Sequence, residues 1–114
     1  MAQEKLPSPL ERRHLIEREL PAEKSLALAE VYIAEGRASE AVIFLRKAQA
    51  GDRLRQLADQ AVDEGDAFLL RSVQQALGEE PPAEHWEKLA DVAEAAGKLR
   101  YAETARRQAT RHDG

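Results

Sequence analysis

The sequence contains no cysteine, which excludes disulfide bonds, thiolate metal sites and cysteine nucleophiles. Aromatic residues make up only 4% of the 114 residues, and Ala and Leu supply most of the apolar content. This composition favours closely packed helices over strands, which are rich in β-branched and aromatic side chains. No stretch reaches the run of about 18 apolar residues that a membrane span needs, and the N-terminal segment has no apolar core typical of a secretion signal. We therefore expect an all-α protein with no membrane association and a cytoplasmic location.

Capping residues and chain breakers divide the sequence into seven predicted helices. Ser8 and Pro9 are typical of a helix start, and Pro21 separates this short opening helix from the next. Gly51 and Asp52 are expected to end the third helix and cap the fourth. The predicted helices cover about residues 9–20, 22–35, 38–50, 52–64, 67–77, 83–96 and 99–111.

Apolar residues recur at helical spacing in each of these segments. The segment from Ala41 to Leu45 is apolar on all sides of its helix, so we expect it to lie at the centre of the core. In the fifth helix, Phe68 is expected to face the core together with Val73 and Leu77.

Internal repetition is the most informative feature, because Gly36, Gly65 and Gly97 fall in equivalent turns that are 29 and 32 residues apart. The third unit carries large, small and glycine residues at a characteristic spacing: Trp86, Leu89, Ala90, Ala93, Gly97, Ala102 and Ala109. The first unit shows a similar series: Leu28, Ala29, Tyr32, Gly36, Ala41 and Ala48. The middle unit matches in Leu54, Leu57, Ala58, Ala61 and Gly65.

This pattern resembles the tetratricopeptide repeat family, with three divergent repeats. The resemblance implies antiparallel helix pairs stacked as a tetratricopeptide-like α-solenoid, with an additional N-terminal helix. It divides the chain into an N-terminal segment (1–21), a repeat domain (22–111) and a tail (112–114). The period is shorter than the usual 34 residues, so a compact helical bundle with the same spacing is the alternative fold.

Charge is distributed unevenly between the two helices of each predicted pair. Residues 22–35, 52–64 and 83–96 hold 11 acidic and 4 basic side chains, a net charge of −7, whereas the partner helices (37–50, 66–77 and 98–111) have a net charge of +6. In tetratricopeptide arrays the first helices line a concave groove, so the resemblance implies a mainly acidic binding groove. The residues predicted to line it are Glu30, Ile33, Arg55, Asp59, Val62, Asp63, Glu87, Asp91 and Glu94.

The leading functional hypothesis is an adaptor or chaperone-like module that binds a basic or amphipathic peptide segment of another protein. The first alternative is a structural protein that self-associates into a homo-oligomer. The second is a nucleic-acid-binding protein that uses the basic C-terminal helix around Arg106 and Arg107, although the net charge of −4 argues against it.

Sequence motifs for catalysis or metal binding are absent. His14, His85 and His112 lie in three separate elements without a partner ligand at a recognised spacing, and Gly97-Lys98 lacks the rest of a phosphate-binding loop. We therefore expect neither enzymatic activity nor a cofactor or metal. Trp86 is expected to pack in the core and not to stack on a nucleic-acid base.

Overall fold

The structure, a computed structural model, describes residues 6–113, and this part of the chain contains seven α-helices and no strand. The helices are α1 (Pro9–Glu17), α2 (Ala22–Ala34), α3 (Ala38–Lys47), α4 (Gly51–Glu64), α5 (Ala67–Leu77), α6 (Ala83–Ala95) and α7 (Leu99–Asp113). The prediction of an all-α protein is confirmed. The chain divides into two compact units, the first ending at Leu54 and the second beginning at Arg55. Within residues 6–113, no helix has both the length and the apolar character needed to cross a membrane.

The start of α1 agrees with the sequence pattern, but its end does not. The Ser8 hydroxyl accepts a hydrogen bond from the Glu11 backbone N–H at 3.2 Å, and Pro9 occupies the first turn. Arg18 adopts an extended conformation with ψ 151°, so α1 ends at Glu17 and not near Leu20. Pro21 disfavours the helical conformation only at Leu20, so it does not explain the extended conformation of Arg18, for which the contacts give no reason.

In the first unit, α2 packs against α3 after a tight turn. Ala29 and Ala41 are fully buried, and the rings of Tyr32 and Phe44 stack with their centroids 5.8 Å apart. Small residues let the two helices approach closely while the stacked rings fill the space beside them. The segment expected at the centre of the core is buried at Ala41, Val42, Phe44 and Leu45, and half-buried at Ile43.

None of the residues of α1 is fully buried, and polar side chains join this helix to α2 and α3. The Arg12 guanidinium lies 5.4 Å from the centre of the Tyr32 ring and donates a hydrogen bond to the Glu40 carbonyl at 2.9 Å. The Lys47 ammonium donates to the Arg18 carbonyl at 3.0 Å. These contacts join the middle of α1 and the residue that follows it to α2 and α3.

The connection between α3 and α4 differs from the expectation. Helix α3 ends at Lys47, and Gln49 adopts the left-handed conformation with φ 55°. The Ala50 N–H donates to the Leu45 carbonyl at 3.0 Å, which closes the last turn of α3. Gly51 is therefore the first residue of α4, and the prediction that it ends the preceding helix is wrong.

In the second unit, α6 packs against α7, and α7 also contacts α5. The Asp66 carboxylate accepts a hydrogen bond from the Leu69 N–H at 3.0 Å and so caps α5. Trp86 is completely buried, which confirms its place in the core. The core of this unit also includes Leu57, Leu69, Leu70, Val73, Leu89, Ala90, Ala93 and Ala105.

One predicted core residue of α5 lies at the surface. Phe68 is 58% exposed, although the sequence pattern placed it on the apolar face. Phe68 lies on the same exposed face of α5 as Arg71 and Gln75, which are three and seven residues further along the helix. Leu70 and Val73 lie on the buried face. The core position of Phe68 was therefore wrongly predicted.

Candidate binding surface

The first unit contains two of the predicted groove residues, Glu30 and Ile33 on α2. The Glu30 carboxylate accepts two hydrogen bonds from the Arg53 guanidinium, at 2.8 and 2.9 Å. These hydrogen bonds lower the pKa of Glu30 and raise the pKa of Arg53, because each group favours the charged form of the other. Ile33 is half-buried. The negative charge of Glu30 is therefore compensated within its own unit.

Helix α4 carries four predicted groove residues. The Arg55 guanidinium lies 2.8 Å from a Glu79 carboxylate oxygen. The Asp63 carboxylate lies 3.4 Å from the Lys88 ammonium of α6. Val62 is only 5% exposed and so has little surface to contact a ligand. Asp59 is exposed, and its side chain has no hydrogen-bond or ion-pair partner among residues 6–113.

Helix α6 carries the remaining three predicted groove residues. Asp91 and Glu94 both face the Arg106 guanidinium of α7, at 3.5 and 2.5 Å. Glu87 is exposed, and within the described part of the chain its side chain has no polar partner. The pairing of α6 with α7 thus partly neutralises one end of the predicted acidic surface.

Four of the predicted groove carboxylates, those of Glu30, Asp63, Asp91 and Glu94, pair with basic residues that were not predicted to line the groove: Arg53, Lys88 and Arg106. Arg106 comes from the basic partner helix of its own pair, so the opposite net charges of the two helices were the signal for this contact. Exposed ion pairs stabilise a fold by only about 0–1 kcal/mol, but they reduce the negative potential that a ligand meets. Among the predicted groove residues of the second unit, Asp59 and Glu87 are therefore the carboxylates without a basic partner within residues 6–113.

An open cavity of about 300 Å³ lies beside Asp59, between α4, α5 and the turn that leads into α6. Its apolar lining includes Ala58, Leu70, Val73, Leu77, Pro81 and Pro82. Its polar lining consists of Arg55, Asp59, Gln74, Glu79, Glu80 and His85. This cavity was not predicted from the sequence, because Ala58 was assigned to the repeat pattern and Leu77 to the core.

Two of the three histidines, His14 and His85, have side chains within the described part of the chain. Among the described residues, no group of three or more His, Asp or Glu side chains has an arrangement that could hold a metal ion. His14 is exposed and His85 lines the cavity. The side chain of His112 lies outside the part of the chain that the structure describes.

Comparison of the chain with models of protein families, with curated proteins and with solved structures gives no match. The resemblance to tetratricopeptide repeats therefore rests on the residue pattern alone and stays a prediction.

Proposed function

We propose that this chain is a protein-binding module of tetratricopeptide-like helix pairs that holds a basic or amphipathic segment of a partner protein. The packed pairs α2–α3 and α6–α7, each joined by a short turn, fit the helix pairs of which such repeats consist. Small buried residues at Ala29 and Ala90 also fit the helix packing of such repeats.

The observation that carries the proposal is the combination of an exposed, unpaired carboxylate with an open apolar cavity. Asp59 has no side-chain partner in the described part of the chain and lines that cavity. A basic group of a ligand can approach Asp59 without breaking an existing ion pair. Apolar side chains next to that group can be buried in the adjacent cavity, away from water.

The proposal is tested with a partner isolated from an extract of the cells that produce the protein, using the association rate of the purified pair. Asp59→Lys should slow association, because it replaces an attractive charge by a repulsive one, and we expect a decrease of about 3- to 10-fold at low ionic strength. Added salt should reduce the difference.

Glu103→Lys is the matched control, since it makes the same change of charge at an exposed residue of α7. It should alter the association rate less than Asp59→Lys does. Equal effects of the two variants would mean that the association rate depends on the net charge of the protein and not on the position of the charge. An unchanged rate in folded Asp59→Lys would exclude the α4 surface from the binding site.

A further inference from the structure

The cavity beside Asp59 has an apolar floor that belongs to the core of the second unit. Leu70 and Val73 of α5 form this floor, and both are almost fully buried. Leu77 and Pro81 are half-buried and line the cavity, with Ala58 of α4 as a further lining residue. An apolar group of a ligand in this position would contact carbon atoms that the fold already holds in fixed positions.

The polar lining of the cavity is predominantly negative. Asp59, Glu79 and Glu80 contribute three carboxylates, and Arg55 contributes one guanidinium. Arg55 lies 2.8 Å from Glu79, so its charge is already engaged. A cation bound beside Asp59 would add a favourable interaction, whereas an anion would be repelled.

We infer that this cavity is a specificity pocket that takes one apolar side chain, of the size of leucine or phenylalanine, from a segment with a lysine or arginine next to it. A volume of about 300 Å³ is at the lower end of the range for small-ligand sites and is sufficient for one large side chain. The inference rests on the proposed function and adds the chemistry of the recognised residues. Each buried methylene group strengthens binding by about 4-fold, so leucine in place of alanine should improve affinity by at least about 10-fold.

Two small molecules with the same phenyl group and opposite charge test the pocket without any partner protein. Phenethylammonium and 3-phenylpropionate are titrated into the full-length ¹⁵N-labelled protein, and amide chemical shifts are followed. For a ligand of nine non-hydrogen atoms we expect phenethylammonium to bind with Kd on the order of 10 mM. Its shifts should centre on Leu70, Val73 and Leu77, and 3-phenylpropionate should bind at least about 5-fold more weakly. Equal binding of the two, or shifts centred elsewhere, would overturn the inference.

Two variants separate the apolar from the electrostatic part of the pocket. Ala58→Leu adds apolar volume to the cavity without changing charge and should weaken phenethylammonium binding by about 5-fold or more. Asp59→Asn removes the carboxylate at an exposed residue where little effect on folding is expected, and it should reduce the preference for the cation by at least about 2-fold, with Glu79 and Glu80 still present. An undiminished preference in Asp59→Asn would contradict the assigned cation position, even if Ala58→Leu does not fold.

Binding of the isolated partner distinguishes failure of this inference from failure of the proposed function. If Asp59→Lys slows partner association while folded Ala58→Leu binds the partner like the unmodified protein, the module function stands and the pocket is not used. If neither substitution changes binding, both proposals fail. Weakened binding in both variants is the result we expect.

Discussion

Gly65 lies at a place where the turn between α4 and α5 approaches the backbone of α6, and its replacement by alanine tests this geometry. Gly65 has φ +70°, in the left-handed region. A Cβ atom added there would lie 2.8 Å from both the Cα and the backbone N of Ala93, and 3.1 Å from its Cβ. Because the obstructing atoms belong mainly to the backbone of a helix, no side-chain rotation can relieve the contact.

The expected cost has two parts. The left-handed conformation costs alanine about 1–2 kcal/mol relative to glycine, and overpacking a tight contact adds about 1–3 kcal/mol. Gly65→Ala should therefore lower the free energy of unfolding by about 2–5 kcal/mol. Gly97→Ala is the matched control, because Gly97 has φ +78° in the same unit and nothing lies within 4 Å of its added Cβ. The control should lose only about 1–2 kcal/mol.

Urea unfolding at 25 °C measures the difference between the two variants. Trp86 is the single tryptophan and is buried on α6, so its fluorescence reports on the same unit, and circular dichroism at 222 nm reports on all helices. With a urea slope of about 1–3 kcal/mol per molar, the midpoint of Gly65→Ala should lie about 1 M below that of Gly97→Ala. Midpoints equal within error would show that the turn does not approach α6 as closely as described.

Two further predictions concern a buried and an exposed phenylalanine, and an ion pair of the first unit. Phe44→Ala should reduce stability by about 3–5 kcal/mol because it leaves a cavity in the core, whereas Phe68→Ala, at an exposed residue, should cost under about 1 kcal/mol; similar urea midpoints would refute this contrast. Arg53 lowers the pKa of Glu30, so the stability that Glu30 contributes should be constant above its ordinary pKa of about 4.3 and be lost as pH falls through the lowered pKa. Glu30→Gln should therefore be less stable than the unmodified protein at pH 7, by under about 1 kcal/mol, and should approach it in acid; a difference independent of pH would contradict the assignment.

Local signals in the sequence were sufficient to predict the seven helices. Ser8 and Asp66 cap their helices through the hydrogen bonds expected of such residues, and Gly78 ends α5 in the left-handed conformation. The errors occur at C-terminal ends, where two conformations were locally possible. Gln49 takes the left-handed position although Gly51 is better suited to it, because hydrogen bonds to Arg46 and Leu45 close α3 earlier.

The candidate site was less predictable, since its properties depend on residues distant in the sequence. Glu30 pairs with Arg53 across 23 residues, and Glu94 pairs with Arg106 across 12. A helical pattern places a carboxylate on a face, but it does not reveal which cation reaches it from another helix. The cavity was not predicted either, because it is formed by residues from two helices and the turn before α6. Its lining residue Ala58 is small, and small residues are also typical of close contacts between helices.

The ion pairs also limit where an acidic surface can select a partner. A basic ligand that binds at Asp91 or Glu94 must compete with Arg106, so much of its gain is offset by loss of the existing contact. At Asp59 no such exchange is needed, and the adjacent cavity adds burial of apolar surface to the attraction between charges. Selectivity should therefore concentrate at Asp59 and its cavity, and a charge change there should affect binding more than the same change at Asp91.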